Sequence, residues 1–275
     1  MLLGIWLFAV PSVSARADLP TSTDALERGA YLVIAGGCIS CHRSEDDEDS
    51  LSGGLGLETD FGTFYAPNIT PDMETGIGSW DGQDFLLALK HGRTPSGNYY
   101  YPAFPYRAYA GLSDEEVLDI GAYLMSLPAV RNQTPQHETP FWLARWTVAG
   151  WNMLADFARM DEEIFADELV SRGEYLARNL GHCGECHTPR NGLGIPDLSR
   201  EFAGAQLGEE KIEAINAEAL QDWTTNNVDV FLLIGLKPDG EFAGGDMNDV
   251  IEHNTSKLSD EDRDALAAFF TRHNQ

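Results

Sequence analysis

Val117, Ile120, Leu124 and Leu127 recur at helical spacing, so the stretch after Ser113 reads as an amphipathic helix. Ser113 is followed three residues later by Glu116, a capping-box pattern at the start of that helix. Ser259 opens a second stretch of the same kind, with Asp262 in the corresponding place. Two further segments, "DGQDFLLALKHG" after Trp80 and "TTNNVDVFLLIG" after Trp223, read as helices stopped by glycine. Ala25 to Ala35 and Glu168 to Leu180 supply one more helix each, and both run into a pair of cysteines. Between the helices lie long Gly/Pro loops such as "SGGLGLETDFGTFYAPNITPD", which in a compact domain are functional or wrap around something. The pattern predicts an all-α protein.

The elements come in the same order twice. "RGAYL" from Arg28 and "RGEYL" from Arg172 are offset by 144 residues, and Cys38 and Cys183 by 145. Trp80, Gly92, Pro95 and Gly97 match Trp223, Gly235, Pro238 and Gly240 at 143, and Ser113 matches Ser259 at 146. A nearly constant offset indicates two copies of one fold, each of ordinary domain size. The expected layout is a first domain over 18–130, a linker over 131–166 and a second domain over 167–275. The linker opens on "RNQTPQHETP" and continues into "FWLARWTVAGWNMLADF", a Trp-rich helix expected either to cover an apolar surface or to pack as an ordinary helix.

Residues 1–17 have an apolar run from Leu2 to Val10 and end in Ala15-Arg16-Ala17, the layout of an export signal cleaved before Asp18. No Lys or Arg precedes the apolar run, which leaves an uncleaved anchor or a misplaced start as alternatives. No later stretch is apolar enough to span a bilayer, so membrane contact is expected only through a partner, and the mature chain is expected in the periplasm. The formal charge is −26, from 44 acidic and 18 basic residues. That balance disfavours nucleic acid and anionic lipid and suits a basic partner, or it is simply a solvated surface.

All four cysteines lie in C-x-x-C-H units, Cys38-Ile-Ser-Cys41-His42 and Cys183-Gly-Glu-Cys186-His187. In an exported chain, paired cysteines first suggest disulfides; a bare C-x-x-C also fits a redox dithiol or half a zinc site. None of these requires a histidine directly after the second cysteine, twice, at one place in a repeat. Covalent haem attachment does. On a helical turn the two thiols share a face and reach the two vinyl groups of one haem edge, while the histidine becomes the fifth iron ligand. Two haem c groups are expected, with His42 and His187 as proximal ligands. A carbonyl near Pro189 is expected to orient His187, and no partner is assigned to His42.

Methionine is the usual second axial ligand in an electron-transfer haem. Met247, in "GEFAGGDMNDV", fits that role for the second haem; its alternative is a core or surface methionine. Gly240 to Met247 spans seven residues, and Gly97 to Phe104 spans the same number. Phe104, inside "YYYPAFPY", therefore stands where the first domain's methionine belongs, on the distal side of haem 1. A phenyl ring cannot ligate iron. Haem 1 is either open on that face or takes Met73 or His91 as its ligand; Met125 falls in the last helix and reads as core.

At this point the chain resembles the cytochrome c subunits of periplasmic, membrane-associated alcohol, aldehyde, gluconate and sugar dehydrogenases. The resemblance runs from about Leu26 to Arg272 and includes "RGAYLVIAGGCISCH", "FGTFYAPNITPDMETGIGSW", "YPAFPY", "AGWN", "GHCGECHTPRN" and "DMNDVIEHNTSKLSDED". It implies two tandem class I cytochrome c domains, haem on Cys38, Cys41, Cys183 and Cys186, ligation by His42 and His187, and Met247 as the distal ligand of haem 2. It also implies electrons taken from a dehydrogenase and passed to a quinone or another cytochrome. Those subunits commonly carry three haems, where this chain has two sites, and usually read Tyr-Pro-Ala-Met-Pro-Tyr around the position of Phe104.

The expected function is electron relay. The alternative is a haem enzyme or small-ligand binder for peroxide, a sulfur compound or a gas at an open haem 1. The acidic run Glu45-Asp46-Asp47-Glu48-Asp49 is expected to steer a basic partner toward the haem 1 edge, with association slowing as salt rises.

Overall fold

The computed structural model describes residues 17–44, 46, 47, 49–156, 165–208 and 210–274. Residues 1–16 of the expected export signal, and Glu45 and Glu48 of the acidic run, lie outside the described residues. Two compact units emerge: Met1–Leu32 with Cys41–Phe157, and Val33–Ser40 with Ala158–Gln275.

In chain order the first half contains α1 (Thr23–Ala35), α2 (Cys38–His42), β1 (Gly56–Thr59), β2 (Gly62–Tyr65), α3 (Gly82–His91), α4 (Tyr106–Tyr109), α5 (Asp114–Ser126) and α6 (Thr147–Asp156). The second half contains α7 (Glu168–Tyr175), α8 (Gly184–His187), β3 (Ala205–Leu207), β4 (Glu210–Ile212), α9 (Thr225–Ile234), α10 (Asp246–His253) and α11 (Asp260–Thr271). The all-α expectation needs one amendment. β1 pairs antiparallel with β2, and β3 with β4, as two short hairpins inside the long glycine-rich loops. Strands of three or four residues have little hydrophobic alternation to betray them.

The helix boundaries follow local chemistry. Asp81 accepts from the amides of Gln83 and Asp84 at the start of α3, and Thr224 accepts from Asn227 at the start of α9; both ends close reciprocally as capping boxes. Gly92 and Gly235 end those helices in the left-handed conformation. Ser113 and Glu116 form the expected box at α5, and the Ser259 side chain caps α11 by accepting the Asp262 amide. Such caps contribute about 1 kcal/mol each.

In the first unit, α1 crosses α5 so closely that a Cβ on Gly29 would overlap the carbonyl of Asp119. In the second, a Cβ on Gly173 of α7 would overlap the carbonyl of Ala265 in α11. Gly29 and Gly173 are repeat-equivalent, and so are Asp119 and Ala265, so both halves cross their first and last helices at the same point. An arginine locks each crossing from the position before the glycine: Arg28 Nε reaches Asp119 at 2.7 Å, and Arg172 grips Asp262 through two bonds of 2.8 Å. Apolar burial does most of the stabilising. Phe85, Leu112 and Val117 centre one core, and Leu180, Ala265 and Phe269 the other, all at most 1% exposed. A fully buried side chain of the larger kind contributes about 1.5–3 kcal/mol.

After Tyr175, α7 widens into a π-helical turn over Leu176–Leu180, with the Gly181 amide bonded to the Leu176 carbonyl at 2.7 Å. Such a turn accommodates one extra residue. It falls where the repeat offset changes from 144 to 145 residues.

In the Trp-rich segment Thr147–Asp156 is helical, with Val148, Ala149 and Ala155 buried, while Phe141, Trp142 and Trp146 before it are 98%, 55% and 70% exposed. The segment is tied by polar bonds to the tyrosine-rich loop of its own unit. Tyr101 donates to the Leu143 carbonyl at 2.8 Å, Tyr106 to Asn152 at 2.7 Å, and Arg145 to the Tyr99 carbonyl at 2.9 Å.

Candidate functional site

Each C-x-x-C-H unit forms a single helical turn, α2 and α8, so the two cysteines and the histidine of each share one face. No disulfide joins any of the four cysteines. Burial pushes the Cys183 thiol up to about 12, so it sits there as a neutral, apolar-embedded group.

The Nδ1 of His42 lies 2.7 Å from the carbonyl of Pro67, and the Nδ1 of His187 lies 2.7 Å from the carbonyl of Glu213. A carbonyl only accepts, so Nδ1 is the protonated nitrogen in both rings and Nε2 keeps its lone pair. Burial, only partly opposed by these bonds, lowers the pKa of both imidazoles and favours the neutral form that a metal requires. Pro67 and Glu213 are 146 residues apart, within the repeat register. The carbonyl of Pro189, expected to orient His187, instead accepts the amide of Asp197 at 2.8 Å.

The backbone of each histidine is held in parallel fashion. The Gly53 amide donates to the His42 carbonyl and the Gly204 amide to the His187 carbonyl, both at 2.8 Å. Gly53 and Gly204 have φ of 72° and 80°. A Cβ on Gly53 would strike the Pro67 carbonyl, and one on Gly204 would crowd the Ile212 carbonyl. Only glycine satisfies both demands.

Asn68 is a site residue that sequence reasoning missed. It is 2% exposed and pins the loop carrying Pro67. Its amide donates to the Val130 carbonyl at 2.7 Å, and its Oδ1 accepts the Thr70 amide at 2.9 Å and hydroxyl at 2.7 Å. In the sequence it stands inside the "APNITPD" string, directly after Pro67.

On the opposite loops, the repeat register holds bond by bond. Thr94 and Lys237 each take the carbonyl four residues on, from Asn98 and Glu241, at 2.8 Å. Tyr100 donates to Gly92 and Ala243 to Gly235, again at 2.8 Å. The chains then part. Met247 sits half-buried in the first turn of α10. Phe104 precedes the one-turn helix α4 and is boxed by Tyr100, Tyr109 and Tyr106, with ring centroids at 5.5, 5.8 and 6.3 Å. Met73 is 70% exposed, and His91 is an exposed residue at the end of α3.

The donor set fits c-type haem: thiols for thioether links, and neutral imidazoles with Nε2 available, each fixed by a backbone carbonyl. The comparisons agree. A cytochrome c family profile matches residues 26–128. The chain is 42% identical over 275 residues to a "Diheme cytochrome c-type" of Cereibacter sphaeroides, covering 98% of this chain and 92% of that protein. It is 35% identical to the "Gluconate 2-dehydrogenase cytochrome c subunit" of Pantoea cypripedii, covering 94% of this chain and 62% of that one. It is 34% identical to the "Fructose dehydrogenase cytochrome subunit" of Gluconobacter japonicus, covering 96% and 57%. The chain belongs to the cytochrome c family, within the branch that includes these diheme cytochromes and dehydrogenase subunits. It spans about three fifths of the length of the two dehydrogenase subunits. Among the described residues, no helix is long and apolar enough to cross a membrane.

Proposed function

We propose that this protein is an exported, periplasmic diheme c-type cytochrome built from two tandem class I domains. It relays electrons from a dehydrogenase to a downstream quinone or cytochrome. In this reading Cys38 and Cys41 hold one haem c, and Cys183 and Cys186 the other. His42 and His187 ligate from the proximal side, with Met247 opposite His187. A haem of this kind supplies one-electron exchange at iron; the protein sets its ligands, burial and orientation. The observation that carries the reading is the matched pair of imidazoles, each aimed by a carbonyl at the same 2.7 Å.

The relatives named as gluconate and fructose dehydrogenase subunits support a dehydrogenase as electron donor. Asp46, Asp47 and Asp49 are exposed directly after α2 and supply negative charge for steering a basic partner to that edge.

Phe104 favours a second reading for haem 1 alone. Its aromatic box leaves a non-ligating ring in the methionine position, while Met73 and His91, the other ligand candidates, are both exposed. A small-ligand or enzymatic role would use that face.

Intact mass and carbon monoxide spectroscopy test both readings. Two covalent haems are expected; one or none refutes the relay as stated. Fast carbon monoxide binding to one reduced haem supports an open haem 1, and no binding leaves relay alone.

A further inference from the structure

The residues just before each attachment turn remain without a role. Gly36-Gly37 precede Cys38, and the repeat-equivalent Gly181-His182 precede Cys183. Both pairs lie in the second unit, which takes in Val33–Ser40. There His182 Nε2 lies 3.2 Å from the carbonyl of Gly36. Asn254, buried at the end of α10, donates from Nδ2 to the carbonyl of Ala35 at 3.1 Å. Gly181 completes the contact, since a Cβ there would sit 3.9 Å from the same Ala35 oxygen.

His182 is unusual in its backbone. It has φ of 39°, and its equivalent Gly37 has φ of 62°. Left-handed backbone suits glycine and is costly for a side chain with a Cβ. A histidine in that conformation points to a side-chain task that glycine cannot perform. The Gly36 carbonyl can only accept, so His182 carries a proton on Nε2. Burial keeps the ring neutral by lowering its pKa.

We infer that His182 and Asn254 form a brace that clamps the Ala35–Gly36 peptide, and with it Cys38, against the turn carrying Cys183. Cys38 and Cys183, both in that unit, then keep one fixed separation. The inference rests on the diheme reading above. His182 and Asn254 are positioning residues: they act through the backbone that carries the cysteines. Buried polar pairs with both partners satisfied rigidify a junction in this way, and losing one partner exposes its full desolvation cost.

The test uses the exported holoprotein, first weighed to establish two haems. A different haem count fails the diheme reading and not the brace. His182→Gly retains the left-handed backbone, even relaxing it, but removes the donor. Amide exchange over 35–38 is expected to quicken roughly tenfold or more. His182→Gln, which keeps a terminal N–H donor, is expected to restore slow exchange. Asn254→Asp replaces donor with acceptor opposite the Ala35 carbonyl and is expected to quicken exchange as well. Wild-type exchange over 35–38 in His182→Gly overturns the brace, whatever the fate of the Asn254 variant.

Discussion

The Nδ1 of His187 donates to the carbonyl of Glu213 at 2.7 Å, the same length as the bond from His42 to Pro67. Two loops of different sequence thus present one oxygen each to the same ring atom. The consequence is a pair of imidazoles with matched tautomer, each tied to its loop by the same bond.

The distal sides are where substitution is most informative. Met247→Ala is expected to leave haem 2 high-spin and able to bind carbon monoxide when reduced, with a lowered potential. Met247→His is expected to restore a low-spin spectrum at a potential below the native one. A low-spin, carbon-monoxide-resistant haem 2 in Met247→Ala would remove Met247 from the ligand set.

Phe104→Met places a thioether at the position that the hydrogen-bonded loop register aligns with Met247. The expected outcome is a low-spin haem 1 of raised potential, read from the visible spectrum and a redox titration. An unchanged haem 1 spectrum would count against this register.

Gly29→Ala and Gly173→Ala test the shared helix crossing. Each added methyl meets backbone, which cannot swing aside as a flexible side chain would. A loss of about 1–3 kcal/mol is expected in each case from overpacking, measured by denaturant unfolding of the holoprotein. Ala in place of Gly150, which meets nothing within 4 Å, is the neutral control.

His137 supplies a pH dependence. Its Nδ1 accepts the Tyr65 amide at 3.1 Å, so the folded state needs that nitrogen unprotonated. Burial first, and the nearby Arg145 charge second, lower its pKa. A lowered histidine pKa means that the unfolded chain takes up its proton first as pH falls. The contribution is therefore complete above the unfolded value of about 6.5 and is lost on acidification toward the lower folded value. The slope is at most about 1.4 kcal/mol per pH unit for one proton. His137→Asn is expected to flatten this part of the stability profile, and a loss of Tyr65 amide protection, relative to its intrinsic exchange rate, between pH 7 and 5 reports the same event.

Much of this was legible because it was local. Helix starts at Asp81, Ser113, Thr224 and Ser259 follow from side chains that bond their own neighbours, and each C-x-x-C-H is one turn. The repeat also showed that Phe104 and Met247 occupy matching places, and the bonded loops before them share that register. What was not legible depended on atoms that every residue has. Pro67 and Glu213 act through carbonyl oxygens, so neither side chain signals the role, and proximity to Pro189 suggested the wrong partner. The hairpins were hidden by glycine and brevity. Trp142 and Trp146 show a different limit: an aromatic-rich string reveals apolar surface but not whether anything covers it.

The wide turn at Leu176–Leu180 has a bearing on how this chain tolerates change. In an ordinary helix, one inserted residue swivels everything downstream by about 100°, which would turn His187 away from the Glu213 carbonyl. Here the surplus residue is swallowed in a single loosened coil, and the C-x-x-C-H turn leaves in register with its counterpart. Shortening the chain by one residue at that coil is thus the length change that this turn should survive, whereas it should not survive the same edit a turn earlier, beside Gly173.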